Sequence, residues 1–334
     1  MNDKKVMLIR YLGIFIAGIT ALLSLKVFLS YEPQNAATLL AILGWLLFTD
    51  LLMFGYGRPC YAIVRKNREL GYNINKLVYK FVKIYICQAI FGLVIMAFLS
   101  NFLAKQNGYL DSYFDLVIFS MGLISISICN FKRDLSYALN VEVQFEILTT
   151  IRRFFLLCIF IALFFGSTLL LTGIFGLMAG FLTFLYMAKI IFNEISSDED
   201  RELKKKEFYI GGDFKKKALQ FWGFKISELT FYNIPLIYFT FNPSVIGLAY
   251  YAIWIRMWQF FMMPYMIFVD TRINAIISAF YKYMNKETVR GLLICLLISF
   301  AILVFCLIIF QFIDNIIYNF IGGTEIVDSY FIIS

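Results

Sequence analysis

Long apolar runs alternate with short polar segments along most of the chain. Nine of these runs approach the length of about 20 residues that a helix needs to cross a bilayer. They cover residues 11–30, 37–57, 80–104, 113–131, 154–171, 174–193, 218–239, 246–268 and 291–312. None alternates apolar and polar residues as the strands of a membrane β-barrel do. The pattern predicts an all-α polytopic membrane protein with nine transmembrane helices.

The composition agrees with this prediction and narrows the chemistry. The 334 residues are 61% hydrophobic and 16% charged, whereas soluble domains are about 45–50% apolar and about 25% charged. The chain has no histidine, which excludes serine triads, HExxH sites and histidine metal ligands. The six cysteines form no CxxC motif, so we expect free thiols and neither disulfides nor a metal site. No cofactor is expected.

The basic residues are distributed very unequally between alternate connections. If the N-terminus is cytoplasmic, 26 of the 30 lysines and arginines fall on the cytoplasmic side, as the positive-inside rule requires. The four others are Lys26, Lys105, Lys225 and Arg256. The net charge of +8 therefore indicates loops that face anionic membrane lipids and gives no reason to expect nucleic acid. No small-residue cleavage site follows the first run, so we interpret it as a membrane helix rather than a signal peptide.

Polar segments divide the chain into two parts. Thr172–Gly176 is predicted to be a tight turn between the fifth and sixth helices. Glu194–Lys217 carries seven acidic and seven basic residues and is interpreted as a solvated cytoplasmic linker. It separates an N-terminal six-helix lobe, residues 1–193, from a partial C-terminal lobe with three helices and an external segment, residues 218–334. Pro235 is expected to kink the seventh helix.

The stretch "DLLMFGYGRPCYAIVRK", residues 50–66, contains two glycines that superficially suggest a phosphate-binding loop. Such a loop requires a strand before the glycines, and an apolar run of membrane length precedes them here. Gly55 and Gly57 instead indicate close helix approach or bending. Pro59 is expected to loosen the helix at the cytoplasmic surface.

Charged residues within the apolar runs are candidate site residues, because a charge at mid-bilayer costs about 2.5–3.5 kcal/mol on insertion scales. Arg256 shares a helical face with small and polar residues: Ala249, Ala252, Gln259 and Met263. This face predicts a cavity lining, with an interhelical salt bridge as the alternative. Lys225 either pairs with Glu228, three residues later, or extends its amine toward the interface.

Asp50 is the candidate for ion coupling. At helical rise it lies about 12 Å from Arg58, and no cation on its own helix is within one turn. It must be protonated or paired with another helix, so proton or sodium coupling and a structural pair both stay open. Glu228 is a second coupling candidate. Arg58 suits a diphosphate because a guanidinium matches phosphate oxygens, as do Arg10 and Arg65, although the positive-inside rule explains all three equally well.

Three stretches, and their order along the chain, resemble the Wzx-type polysaccharide flippases. These belong to the multidrug/oligosaccharidyl-lipid/polysaccharide exporter superfamily. "FGYGRPCYAIVRK" (Phe54–Lys66) resembles the end of the second helix, and "FKRDLSYALNVEVQFEILTTIRRFFLL" (Phe131–Leu157) resembles the hairpin between the fourth and fifth helices. "FIDNIIYNFIGGTE" (Phe312–Glu325) resembles the external segment after the ninth helix.

The resemblance implies two lobes around a central cavity that opens to each side of the bacterial inner membrane in turn. It implies a flippase, not an enzyme, which moves an undecaprenyl-diphosphate-linked oligosaccharide to the outer leaflet for O-antigen, capsule or exopolysaccharide synthesis. Arg256, Lys225, Arg58 and Gln259 are then the expected substrate-binding residues. A polysaccharide polymerase and a chain-length regulator are the expected protein partners.

A tenth helix would begin where the chain ends, so the resemblance predicts an incomplete second lobe. A membrane glycosyltransferase or polymerase that uses the same lipid is one alternative function. A drug or cation exporter of the same superfamily is the other.

Overall fold

The structure, a computed structural model, describes residues 2–70, 72–128, 132–199 and 214–241, with isolated residues between 247 and 308. The helices in the continuous ranges are α1 (Asn2–Leu29), α2 (Pro33–Trp45), α3 (Gly57–Glu69), α4 (Asn75–Asn107), α5 (Tyr113–Ile128), α6 (Arg133–Ala138), α7 (Glu142–Phe164), α8 (Leu169–Glu199), α9 (Phe214–Tyr232) and α10 (Ile234–Phe241). A 3-10 helix, Leu46–Met53, joins α2 to the break before α3.

The described part of the chain is helical, and no β-strand occurs in these ranges. Five helical segments there are long and apolar enough to cross a membrane: Leu8–Leu29, Asn75–Asn107, Tyr113–Ala138, Glu142–Phe164 and Leu169–Ser196. These segments correspond to the predicted first, third, fourth, fifth and sixth runs. The predicted all-helical, multi-pass class is therefore confirmed in this coarser form.

α5 and α8 run parallel and in backbone contact. A Cβ added to Gly173 would lie 2.6 Å from the backbone nitrogen of Phe119, and one added to Gly176 would lie 3.0 Å from the backbone of Gly122. Ser125 also donates a hydrogen bond to the carbonyl of Gly176 at 2.8 Å. Small residues allow helices in a bilayer to approach this closely.

This contact corrects the predicted turn at Thr172–Gly176, which lies inside α8. The turn between α7 and α8 is at residues 165–168, where Gly166 has a φ of 88°. The glycines of 172–176 accommodate the backbone of α5, so their spacing reflects packing and not chain reversal.

α1 and α7 also run parallel. The residue numbers of the contacting partners increase together along the two helices. The Arg10–Glu146 ion pair lies near one end of this contact, and the rings of Phe28 and Phe160, whose centroids are 5.4 Å apart, lie near the other. Phe28 also meets Phe119 of α5 edge to face. These rings are fully buried and join α1, α5 and α7 in one apolar core.

The predicted second helix, residues 37–57, is interrupted. α2 ends at Trp45 and the 3-10 helix ends at Met53, and the next two residues, Phe54 and Gly55, have φ values of 47° and 70°. Pro59 therefore lies in the first turn of α3, where its missing N–H is not needed. The expectation that Pro59 loosens the end of a helix was wrong, because the interruption comes before it.

The predicted linker and seventh helix also differ in their bounds. α8 continues to Glu199, so the segment expected to be linker starts as helix, and residues 200–213 lie outside the described residues. A kink was predicted at Pro235, and the structure interrupts the helix just before it, because α9 ends at Tyr232 and α10 begins at Ile234. Of the eighth and ninth runs only isolated residues are described.

Candidate functional site: a seam between two interrupted helices

The break in the second apolar run packs directly against α9, the first helix after the charged stretch. We call this contact the seam and define it by Leu51, Phe54 and Gly55 on one side and Ala218 and Trp222 on the other. The indole nitrogen of Trp222 donates a hydrogen bond to the carbonyl of Leu51 at 3.0 Å. The rings of Phe54 and Trp222 lie 5.6 Å apart. A Cβ added to Gly55 would come within 1.9 Å of the Ala218 carbonyl oxygen.

The local sequence explains why the chain breaks at this place. Gly55 adopts a positive φ without the penalty that a side chain brings. A break frees backbone groups, and these need partners where water is absent. The Leu51 carbonyl has two, since it accepts hydrogen bonds from the Phe54 N–H at 3.0 Å and from Trp222. The indole of α9 thus supplies a second hydrogen bond to the carbonyl that closes the 3-10 helix.

The seam continues along both interrupted helices. A Cβ added to Gly44 of α2 would lie 2.7 Å from the side chain of Leu236 in α10, which is fully buried. From Gly44 to Gly55 the partner residues run backwards from Leu236 to Ala218, so the two helices are antiparallel. The second interruption is buried as well, because Tyr251 donates to the Asn233 side chain at 2.5 Å.

Three of the predicted site residues lie on elements that meet at the seam. Asp50 is in the 3-10 helix, one residue before Leu51. Arg58 is exposed in the first turn of α3. Lys225 lies on α9, three residues after Trp222 and on its face of the helix, with an exposed side chain. These three positions therefore lie on elements next to the seam, at different levels along it.

The remaining predicted site residues are not located by the structure. The side chains of Asp50 and Glu228 lie outside the described residues, and so do Arg256 and Gln259 entirely. The pairing of Lys225 with Glu228 and the cavity face of Arg256 therefore stay predictions.

A second polar assembly, which we call the arginine cluster, was not recognised from the sequence. It consists of Arg10, Arg133, Arg152 and Arg153 around Tyr137 and Glu146. The Nε of Arg10 donates to a Glu146 carboxylate oxygen at 2.9 Å, and Arg10 also donates to the Tyr137 hydroxyl, which itself donates to Glu146. Arg65 donates to the Asn140 side chain at 2.6 Å. Arg10 and Arg65, two of the three arginines proposed to receive a diphosphate, are thus bound to protein groups.

Arg152 of this cluster and the nearby Lys132 donate to backbone carbonyls. Arg152 is buried and donates to the Ile126 carbonyl at 2.5 Å and to the Thr149 hydroxyl at 3.0 Å. Lys132 is fully buried, donates to the Phe184 carbonyl at 2.8 Å and lies 3.3 Å from the centre of that ring. The available sequence signal was the pair of basic dipeptides, Lys132–Arg133 and Arg152–Arg153, which marked only topology.

Side-chain contacts gather the more basic connections at one end of the helices. Arg10 of α1 pairs with Glu146 of α7, and Arg68 of α3 pairs with Glu194 of α8 at 2.7 Å. The bond from Arg65 to Asn140 adds the connection between α6 and α7. The N-terminal segment, α3, the α6–α7 connection and the last turns of α8 therefore lie together.

A separate polar contact lies at the opposite end of the helices. Asn35 is buried, donates to Asp111 at 2.7 Å and accepts from the Leu110 N–H at 2.9 Å. Burial raises the pKa of Tyr31, and the nearby Asp111 carboxylate raises this pKa further. The same two causes raise the pKa of Tyr109. Neutral phenols therefore surround this carboxylate at neutral pH.

No protein-family model, curated protein or solved structure matches the chain. Within the described residues, no group of three His, Cys, Asp or Glu side chains is placed to hold a metal ion. The seam and the arginine cluster are thus the two assemblies on which a functional argument can be based.

Proposed function

We propose that the chain is a flippase of the Wzx type, which moves a polyprenyl-diphosphate-linked oligosaccharide from the cytoplasmic to the outer leaflet of the bacterial inner membrane. The observation that carries this proposal is the seam. Transporters commonly form substrate and ion sites where discontinuous helices of two halves meet. Here two interrupted helices pack antiparallel, and Asp50, Arg58 and Lys225 lie on the elements that meet there.

Helix directions support the finer topology of this proposal. With nine helices and a cytoplasmic N-terminus, the first and fifth must run the same way, and so must the fourth and sixth. α1 is parallel to α7, and α5 is parallel to α8. The end where Arg10, Arg65 and Arg68 make their contacts would then face the cytoplasm and its anionic lipids.

The proposed mechanism is alternating access without bond making or breaking. Arg58 and Lys225 would attract the diphosphate when the seam is open toward the cytoplasm, with Arg256 and Gln259 completing the cavity from the eighth helix. Asp50 would bind the coupling proton or sodium ion. Because Asp50 precedes Leu51 in the chain, a change in its charge would act next to the break that Trp222 contacts.

Complementation of a flippase-null strain tests this proposal. The chain should restore surface polysaccharide, Lys225→Ala and Asp50→Asn should abolish it at equal membrane abundance, and Lys105→Ala should not. Lys105 is the matched control because it is an exposed cation near the end of α4. Full surface polysaccharide with both Lys225→Ala and Asp50→Asn would contradict the assigned site.

The lipid intermediate separates this proposal from its alternatives. A flippase leaves the mass of the lipid-linked oligosaccharide unchanged and alters only the leaflet in which it is found. A glycosyltransferase or polymerase would lengthen it. A drug exporter would confer resistance to cationic compounds without restoring surface polysaccharide.

A further inference from the structure

We propose that Arg153 and Arg133, beside the Arg10–Glu146 pair, form a binding site for the phosphate group of a membrane lipid on the face shared by α1 and α7. The site is distinct from the seam and does not depend on the proposed function. The shared chemistry is a lipid phosphate, whether it belongs to a phospholipid or to a polyprenyl diphosphate.

The position of Arg153 is the first argument. Its guanidinium lies against Gly13 of α1, and a Cβ there would come within 2.6 Å of Nη1. Thr150 keeps the two helices in register by donating to the Ile9 carbonyl at 3.2 Å. Within the described residues, Arg153 donates no hydrogen bond, whereas Arg10 and Arg152 each have two acceptors. Arg153 thus has hydrogen-bonding capacity for another molecule.

The local charge is the second argument. Among the described residues, the charged groups that act most strongly on Arg153 are Arg152, Arg133, Arg10 and one carboxylate, Glu146. Glu146 already binds Arg10 and Tyr137. Arg10 and Arg133 also face the Tyr137 ring at 5.4 and 5.8 Å. Among these described side chains four guanidinium groups accompany one carboxylate, which is unfavourable in a medium of low dielectric constant unless an anion joins them. A phosphate fits this requirement because guanidinium groups bind its oxygens in a bidentate manner.

Exposed apolar side chains lie beside these arginines and favour a lipid as the ligand. Large apolar side chains next to Gly13 and Arg153 are exposed, with Leu12 at 55% and Phe154 at 52% of their surface. One turn earlier on α1, Leu8 is 72% exposed. Acyl or prenyl chains can cover this surface while the headgroup binds Arg153. A free phosphate ion would leave it uncovered.

The depth of the site is compatible with a headgroup. Gly13 is the sixth residue of the apolar segment Leu8–Leu29, about 8 Å along the helix axis from Leu8. The side chain of a helical residue points toward the N-terminus, so the Arg153 guanidinium lies nearer the polar end than its own Cα. Arginines at such depths draw headgroups and water inward by thinning the bilayer locally.

Thermal unfolding of the full chain in a neutral detergent tests the site with four probes: phosphatidylglycerol, undecaprenyl diphosphate, diacylglycerol and inorganic phosphate. We expect the two phosphate lipids to raise the melting temperature and the other two to have little effect. The phosphate lipid that acts at the lower concentration identifies the source. An equal effect of diacylglycerol, or of inorganic phosphate alone, would overturn the proposal.

Variants connect the effect to the residues. Arg153→Gln removes a charge-assisted hydrogen bond and should raise the half-saturating lipid concentration about tenfold. Arg153→Lys should have a smaller effect, because it retains the positive charge but loses the bidentate geometry of the guanidinium group. Lys105→Gln, with the same loss of charge in α4, should respond like the wild type. If Arg153→Gln does not fold, the exposed Arg133→Gln replaces it. A wild-type lipid response in these arginine variants would refute the site.

Discussion

Trp222 donates its indole N–H to the backbone carbonyl of Leu51, 3.0 Å away and 171 residues earlier in the chain. The same carbonyl accepts the N–H of Phe54, at the end of the 3-10 helix. One acceptor thus joins the interruption of the second apolar run to the helix that follows the charged stretch. The contact depends on backbone geometry, so a single methyl group at the right position should disturb it.

We predict that Gly55→Ala separates α9 from the 3-10 helix. The new Cβ would lie 1.9 Å from the Ala218 carbonyl oxygen, at a φ of 70° that disfavours side chains. Hydrogen–deuterium exchange should increase over residues 214–222 and stay unchanged in α5 and α8. Gly108→Ala is the control, because Gly108 has a similar φ of 67° but open space around it. Unchanged exchange over 214–222 would mean that the seam tolerates the methyl group.

We predict that Gly173→Ala destabilises the protein. Its Cβ would meet the backbone of Phe119 at 2.6 Å, where no side chain can rotate away, and overpacking of this kind costs about 1–3 kcal/mol. The midpoint of thermal unfolding in detergent should fall. Gly223→Ala, in a helix with open space at that position, should leave the midpoint unchanged or raise it slightly. Equal midpoints for the two variants would contradict the close α5–α8 contact.

We predict a large loss of stability in Glu146→Gln. The Arg10 and Glu146 side chains are only 13% and 7% exposed, and removing one partner of a buried pair costs about 3–5 kcal/mol because the other charge is left uncompensated. The double variant Arg10→Gln/Glu146→Gln should therefore lose much less than the sum of the single losses. Additive losses in the unfolding free energies would show that the pair is not coupled.

We predict that Cys60 is unreactive in the folded protein. Burial raises the pKa of its thiol, so little of the reactive thiolate is present at pH 8. A chain with Cys60 as its single cysteine should react with a water-soluble maleimide only after denaturation. The unfolded thiol loses its proton near pH about 8.5 and the folded thiol only at higher pH, so the contribution of Cys60 to stability should decline as the pH rises above that value.

The neighbouring position supplies the control for this experiment. Tyr61 is 36% exposed, so Tyr61→Cys in a chain without other cysteines should react readily in the folded state. Rapid native labelling of Cys60 itself would contradict the burial of the inner face of α3.

Within the described residues, the sequence predicted the positions of the long apolar helices better than their ends. The length of the apolar runs was sufficient to predict α1, α4 and α5, and the effect of proline on helices was sufficient to predict a break close to Pro235. The prediction of a turn at Gly173 and Gly176 failed, because glycines spaced by three residues suit both a turn and a close helix contact. Only the partner helix decides between these uses, and the partner is 51 residues away where Ser125 binds Gly176.

The candidate site was predictable only in part, for a similar reason. The charges of Asp50, Arg58 and Lys225 are visible in the apolar pattern. The contact between the 3-10 helix and α9 is not, because it forms between the Leu51 carbonyl and the indole of Trp222. Arg152 and Arg153 are adjacent and chemically identical, yet one holds the Ile126 carbonyl and the other lies against Gly13. One position along a helix rotates the side chain by about 100°, and the neighbours met there are set by the fold.

The close contact of Gly173 with Phe119 has a mechanical consequence. Where side chains separate two helices, they can change rotamer and let the helices slide, but here backbone meets backbone and nothing deformable lies between. α5 and α8 should therefore move together as one rigid body. We expect a displacement of α9 to be accommodated by backbone rotation at Phe54 and Gly55, which both have positive φ. These two residues would then act as a hinge.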